Sequence, residues 1–132
     1  MAIIKSFEDI EAWKLARVMC NKIGLLIDGE RFGKNFRLID QLNGSSGSIM
    51  DNIAEGFERG TRKEFIQFLG YAKGSCGEIR SQLYRAVDRN YINQEEFEEL
   101  FQMAVSISSI IQNFIKYLLK SDIEGSRKHS QP

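Results

Sequence analysis

Residues Ser46–Phe65 read SGSIMDNIAEGFERGTRKEF, and this stretch decides the fold. Ser48, Asn52, Glu55 and Arg59 recur at steps of four, three and four, which places them on one face of a helix. Beside them runs an apolar row, Ile49, Ile53 and Phe57. Gly60 then stops the helix, and Thr61 with Glu64 forms the capping box of the next one. The stretch is therefore a helix, a tight turn and a second helix. A polar stripe beside a core row signals a metal site, a catalytic site or a polar seam between packed helices.

Working outward, the chain divides into four helical segments. The first starts after Ser6, with Asp9 at its N3 position, and runs to about Ile27. Phe7, Ile10, Ala16, Met19, Ile23 and Leu26 share its inner face. After a loop over Asp28–Lys34, the second runs from about Asn35 to Arg59 on Ile39, Leu42, Ser46, Ile49, Ile53 and Phe57. The third carries Phe65, Leu69, Ala72, Cys76, Ile79, Leu83 and Val87 and ends near Asn90. Asn93 with Glu96 opens the fourth, whose row is Phe97, Leu100, Ala104, Ile107, Ile111, Phe114 and Leu118. Short links between long helices predict an all-α, antiparallel up-down-up-down four-helix bundle over residues 1–120. Residues 121–132 lack periodicity and are expected to be a disordered C-terminal tail.

Composition agrees with that class. The chain has 132 residues, 42% of them hydrophobic, with one proline, which leaves helices uninterrupted. It is long enough to bury a core as one domain without disulfides or metals. Formal net charge is zero, so no global field draws it to nucleic acid or a membrane. Cys20 and Cys76 lack a CxxC partner and read as buried free thiols. No apolar run approaches the roughly 20 residues of a membrane span, and no signal peptide is evident, which implies a cytoplasmic protein.

Polar and apolar rows exceed what one bundle needs. Met103, Ile110 and Tyr117 form a second apolar row on the fourth helix, read as an oligomer interface or a widened core. The second helix carries Gln41, Ser45, Ser48, Asn52, Glu55 and Arg59, and the third Tyr71, Ser75, Glu78, Gln82, Arg85 and Arg89. These two rows can zip together, donor to acceptor, or lie as solvated faces. Gly44, Gly47 and Ala54 occupy another face of the second helix, where the glycines suggest close backbone approach or a weak spot.

Chemical readings mostly fail on residue type. A di-metal bundle needs inward Glu-x-x-His pairs, and the only histidine is His129 in the tail. A zinc site lacks clustered Cys and His, a histidine-dependent ribonuclease lacks its base, and no serine has one. No strand precedes a glycine-rich phosphate loop. The sequence therefore predicts a non-enzyme with no metal, no cofactor and no small-molecule substrate. Bundle topology gathers Lys5, Arg59, Arg62, Lys63, Lys116, Lys120, Arg127 and Lys128 at one end. Glu8, Asp9, Glu58 and Glu64 dilute it, and Glu95, Glu96, Glu98 and Glu99 lie at the other end. Arg59, Arg62 and Lys63 are the candidate nucleic-acid contacts, weak singly and strengthened if an oligomer repeats them.

Three stretches carry a family resemblance: FEDIEAWKLA (7–16), SIMDNIAEGFERGTRKEFIQFL (48–69) and AKGSCGEIRSQLYRAVDRNYI (72–92). They resemble the four-helix-bundle proteins encoded in intervening sequences of bacterial large-subunit (23S) ribosomal RNA genes, some of which carry a ribosomal-protein label. Relatives include the accessory protein of diversity-generating retroelements, a basic pentameric barrel that binds a reverse transcriptase and nucleic acid. The resemblance implies a homopentameric ring of such bundles and no known reaction. Its polar signature falls on Gln41, Ser48, Asn52, Glu55, Arg59, Ser75 and Glu78, which favours a structural seam centred on Glu55. Where relatives have a basic pair, this chain has Asn43 and Gly44, so two positive charges are missing. The reading is an oligomeric helical scaffold, an accessory contacting RNA, DNA or a nucleic-acid enzyme such as a reverse transcriptase. The alternative is a protein–protein interaction module with no nucleic-acid role.

Overall fold

The computed structural model describes residues 3–121, so the expected tail beyond Ser121 lies outside the described residues. Four α-helices follow one another: α1 (Glu11–Ile27), α2 (Phe36–Glu58), α3 (Arg62–Asp88) and α4 (Gln94–Lys120). No strand forms among the described residues. Each helix packs against its two neighbours in the order α1–α2–α3–α4–α1. The shared centre is apolar, and Met19, Leu38, Ile49, Leu69, Ile79, Ile107 and Ile111 are wholly or almost wholly removed from solvent there.

Local chemistry sets most helix ends. Asn35 accepts a hydrogen bond from the Leu38 amide and starts α2. Asn93 and Glu96 form a reciprocal capping box at the start of α4. At α3 the Thr61 hydroxyl accepts from the Glu64 amide at 3.2 Å and donates to the Glu64 carboxylate at 3.0 Å. The return bond thus comes from the hydroxyl rather than from the Thr61 amide that a full capping box uses. Gly60 links α2 to α3 at φ 88°, a conformation that an L-residue with a side chain rarely adopts. Asn90 ends α3 at φ 61°, with the Tyr91 amide reaching back to the Ala86 carbonyl. Asparagine tolerates that left-handed position, and the bond satisfies a carbonyl the helix end leaves open.

The first helix departs from the sequence reading. Its expected start at Ser6 yields only a single 3-10 turn, Phe7–Asp9, and the chain is extended at Ile10 before α1 begins. Asp9 accepts from the amides of Lys5 and Ser6, and these bonds hold its carboxyl below the usual range. The break at Ile10 lets that side chain enter the core fully while Phe7 meets Trp13 edge to face. Helix periodicity alone cannot signal such a break, because Phe7 and Ile10 satisfy the pattern either way.

The glycines also distribute differently from expectation. Gly44 and Gly47 have nothing within 4 Å of where a Cβ would stand, so no helix of the chain approaches them closely. The close approach is at Gly56, where a Cβ would lie 2.6 Å from the Phe68 Cβ and 3.2 Å from the Phe65 ring. A helix interior prefers alanine to glycine by about 1 kcal/mol unless a neighbour needs the space. Gly56→Ala should therefore destabilise by about 1–3 kcal/mol through overpacking. Gly47→Ala should stabilise by up to about 1 kcal/mol. Paired chemical denaturations check both signs, and equal shifts at the two positions would rule out the proposed α2–α3 constraint.

The loop before α2 is tied to α4 by a bidentate pair in which both Arg31 guanidinium nitrogens lie 2.6 Å from the Glu96 carboxylate. Arg31 first, and then the Asn93 amide, pull the Glu96 carboxyl from an ordinary value of 4.5 down to about 2. A depressed carboxyl contributes stability above its unfolded value and loses it as pH falls through its folded value. Melting temperature should thus decline between about pH 4.5 and pH 2. Circular-dichroism melts across that range should show a shallower decline for Arg31→Gln than for the parent protein.

Candidate functional site

The helical spacing of α2 and α3 brings their polar rows together. From one end, Arg85 donates to the Gln41 amide oxygen at 2.8 Å. Gln82 donates from its side-chain nitrogen to the Ser45 hydroxyl at 3.0 Å, and this pair is buried. Ser75 donates to the Ser48 hydroxyl at 3.0 Å. Asn52 completes the set from within α2, donating to the Ser48 hydroxyl at 2.9 Å and the Ser48 carbonyl at 2.8 Å. Of the seven expected seam residues, Gln41, Ser48, Asn52 and Ser75 thus sit in one connected strip.

Glu55 does not. It is exposed, it is not the buried centre of the seam, and its bond is to Arg59 at 2.7 Å on its own helix. The other polar side chains of the two rows are engaged elsewhere: Asn52 and Ser75 turn to Ser48, and Gln82 turns to Ser45. Across from this part of α2, the α3 residue against Gly56 is Phe68, which meets the exposed Tyr71 edge to face. Aromatic rings cannot replace the water that a carboxylate would lose, so the seam stops and Glu55 stays in solvent. Glu78 is exposed on α3 and makes no cross-helix hydrogen bond among the described residues.

Depth is what the row spacing leaves out. Ser46, assigned to the core row, is buried and donates to the Asn43 carbonyl, with the Cys20 thiol 3.6 Å from its hydroxyl. Gln82 lies deep enough that its amide oxygen has no partner. Both residues stood in the sequence pattern, yet spacing assigns a face and not a depth along it.

The strip offers little chemistry of its own. Its members are hydroxyls, amides and the Arg85 guanidinium, and the side chains of Ser48 and Ser75 bond only one another and Asn52 among the described residues. Cys76, adjacent to Ser75, is a buried free thiol whose pKa burial pushes up to about 11, so it stays protonated near neutral pH. Cys20 is a free thiol and only half-buried. Among the described residues no group of three His, Cys, Asp or Glu side chains is placed to hold a metal ion.

The candidate nucleic-acid residues are largely engaged within the chain. Arg59 bonds Glu55 and, at 3.4 Å, Glu64, while its guanidinium stands 5.0 Å over the Phe68 ring. Arg62 donates to the carbonyls of Leu118 and Ser121, capping the end of α4. Lys63 is exposed. On the α1–α4 side, Met103, Ile110 and Tyr117 are half-buried at the margin of the core. Ile110 and Tyr117 line a cleft of about 530 Å³ with Glu11 and Phe114. Met103 lines a second, of about 400 Å³, with Leu15 and Ile107.

Comparison with known proteins gives a family and a fold. A model described as 23S rRNA-intervening sequence protein matches residues 8–113. One solved structure similar to this chain is from Bacteroides thetaiotaomicron VPI-5482 and is described as a protein of unknown function from the S23 ribosomal protein family. Its TM-score is 0.71 at 21% identity, over 80% of this chain and 98% of that one, a likeness of fold alone. No curated protein sequence matches significantly. No helix among the described residues is long and apolar enough to cross a membrane.

If the strip is structural, Ser48 is its hinge point, because both Ser75 and Asn52 rely on its hydroxyl. Ser48→Ala should cost about 1 kcal/mol, the usual net worth of such bonds. That corresponds to a melting-temperature drop of about 3–5 °C for a chain of this size. Glu55→Ala should melt with the parent protein. A larger drop for Glu55 than for Ser48 would restore Glu55 to the centre of the seam.

Proposed function

The chain belongs to the 23S rRNA-intervening sequence protein family, and from that premise we propose that it is a non-enzymatic, cytoplasmic, oligomeric helical scaffold. In this reading residues 1–120 form one antiparallel up-down-up-down bundle. The order of partners along the α2–α3 strip supports it: Gln41, Ser45 and Ser48 meet Arg85, Gln82 and Ser75 in turn. Bundles join into a homopentameric ring, as the resemblance to the retroelement accessory protein implies. Such a ring serves as an accessory that contacts RNA or a nucleic-acid enzyme such as a reverse transcriptase.

One observation carries the oligomer. The core is already filled by the complete inner row of α4, from Phe97 to Leu118. Met103, Ile110 and Tyr117 are additional to it and line clefts toward α1, where Leu25 is 81% exposed and Val18 45% exposed. Apolar side chains in such numbers on one face favour a further protein surface over water. The polar strip between α2 and α3, by contrast, finds its partners within one chain apart from the Gln82 amide oxygen.

The charge arrangement favours a narrower second reading. Arg59 and Arg62 are held by partners inside the chain, and net charge is zero. The same oligomer would then act on protein partners alone. Electrophoretic mobility shifts with ribosomal RNA at several salt concentrations separate the two, since phosphate contacts weaken steeply with salt.

Light scattering should find a pentamer at micromolar concentration, and Ile110→Glu should yield monomers of unchanged helical content. A monomeric parent protein would remove the proposal, and so would a variant that stays pentameric.

A further inference from the structure

We propose that the groove between α3 and α4 is a binding site for a phosphate group, held by Lys73 and Arg80 against Ser108, Ser109 and Gln112. The groove has a volume of about 300 Å³, and Val105 completes its lining. It lies away from the α1–α4 face, so the inference does not depend on the ring.

The two cations come from one helix face. Lys73 and Arg80 are seven residues apart on α3, two turns or roughly 10 Å along the axis. Gly77 lies between them, and an Arg80 terminal nitrogen is 3.7 Å from where a Gly77 Cβ would stand. The guanidinium therefore folds back along α3 over a position with no side chain, in the direction of Lys73. The ammonium of Lys73 donates to Gln112 at 2.7 Å across the groove, which holds it at the α4 wall. Neither cation has a carboxylate within ion-pair distance among the described residues, unlike Lys22, Arg31 and Arg59.

Unmet hydrogen-bonding capacity points the same way. The Arg80 Nε–H is buried and has no acceptor among the described residues. A buried donor without a partner is costly, and a ligand oxygen would remove that cost. Its charge is felt locally: burial raises the Cys76 thiol, and Arg80 acts against that rise. The groove thus offers a planar fork, a point charge and two hydroxyls, with no fixed negative charge among its lining residues. Arginine and lysine used together in this way suit a tetrahedral oxyanion with several acceptor oxygens. A phosphate monoester or a backbone phosphodiester both present that group.

The full-length protein should be titrated with inorganic phosphate, followed by amide chemical shifts at constant ionic strength in chloride. In parallel, a fluorescent single-stranded oligoribonucleotide should be titrated by anisotropy. Two variants report on the site: Arg80→Met, and Ser109→Glu, which adds a carboxylate at an exposed position and keeps the fold testable if the first variant unfolds. Binding of at least one ligand is expected, weakened tenfold or more in each folded variant, with Lys34→Ala, at an exposed position in the loop before α2, unchanged. Oligoribonucleotide binding a hundredfold tighter than phosphate through these residues identifies a nucleic-acid backbone as the source. Comparable or absent oligoribonucleotide binding identifies a small phosphate compound. No saturable binding of either ligand, or binding that Ser109→Glu leaves unchanged, overturns the proposal.

Discussion

Everything in this fold depends on how closely α2 can lie against α3. The approach is set at Gly56, where the absence of a Cβ admits the Phe68 side chain. Close approach there brings the two polar rows within hydrogen-bonding distance further along, from Ser48 and Ser75 to Gln41 and Arg85. A larger residue at position 56 would push the helices apart just where the strip begins. The hydroxyl and amide pairs are short, and none could follow such a displacement. The aromatic contact and the polar strip are therefore two halves of one interface. Its first half excludes water by fit, and its second makes burial tolerable by pairing.

Each remaining face of the molecule is solved differently. The turn at Gly60 and Thr61 links α2 to α3 with the residues it needs and no more. Arg62, the first residue of α3, then reaches the last carbonyls of α4, so one side chain closes the far end of another helix. At the other end Arg31 joins the α1–α2 loop to the cap of α4 through Glu96. These contacts tie loops to helix ends, where backbone groups would otherwise lack partners. Of these two arginines, Arg62 is one that the sequence reading assigns to a nucleic-acid ligand, and here it caps a helix instead.

The sequence was informative wherever a signal was local. The inner row of α4, Phe97, Leu100, Ala104, Ile107, Ile111, Phe114 and Leu118, is the set that the helix buries. Caps at Asn93 and Thr61 and the stop at Gly60 were equally legible, because each acts within one turn of chain. What failed was non-local. Gly44 and Gly47 read as points of close approach or as a weak spot, and they face open space, while Gly56, hidden in an unremarkable position, is the point of close approach. Glu55 had the correct spacing for the seam, but the residues opposite it are aromatic, and no row on α2 encodes what α3 presents. Ile10 satisfied helical periodicity and still leaves the helix, because its place in the core outweighs one more turn.

Charge follows the same logic and bears on function. A chain of zero net charge has no long-range field to gather an anion, so any anion must be met at a particular place. Pairing commits some of the cations elsewhere. Lys22, Arg31 and Arg59 have carboxylate partners, and Arg62 has carbonyls. Exposed pairs of this kind contribute little to stability, yet each holds a cation in a fixed direction and reduces its call on a ligand. Lys73 and Arg80 lack a carboxylate partner, and both line one groove beside hydroxyls. Selectivity for an anion depends on the convergence of cations at one place rather than on their number. That convergence exists between α3 and α4, on a face that neither the polar strip nor the apolar α1–α4 row requires.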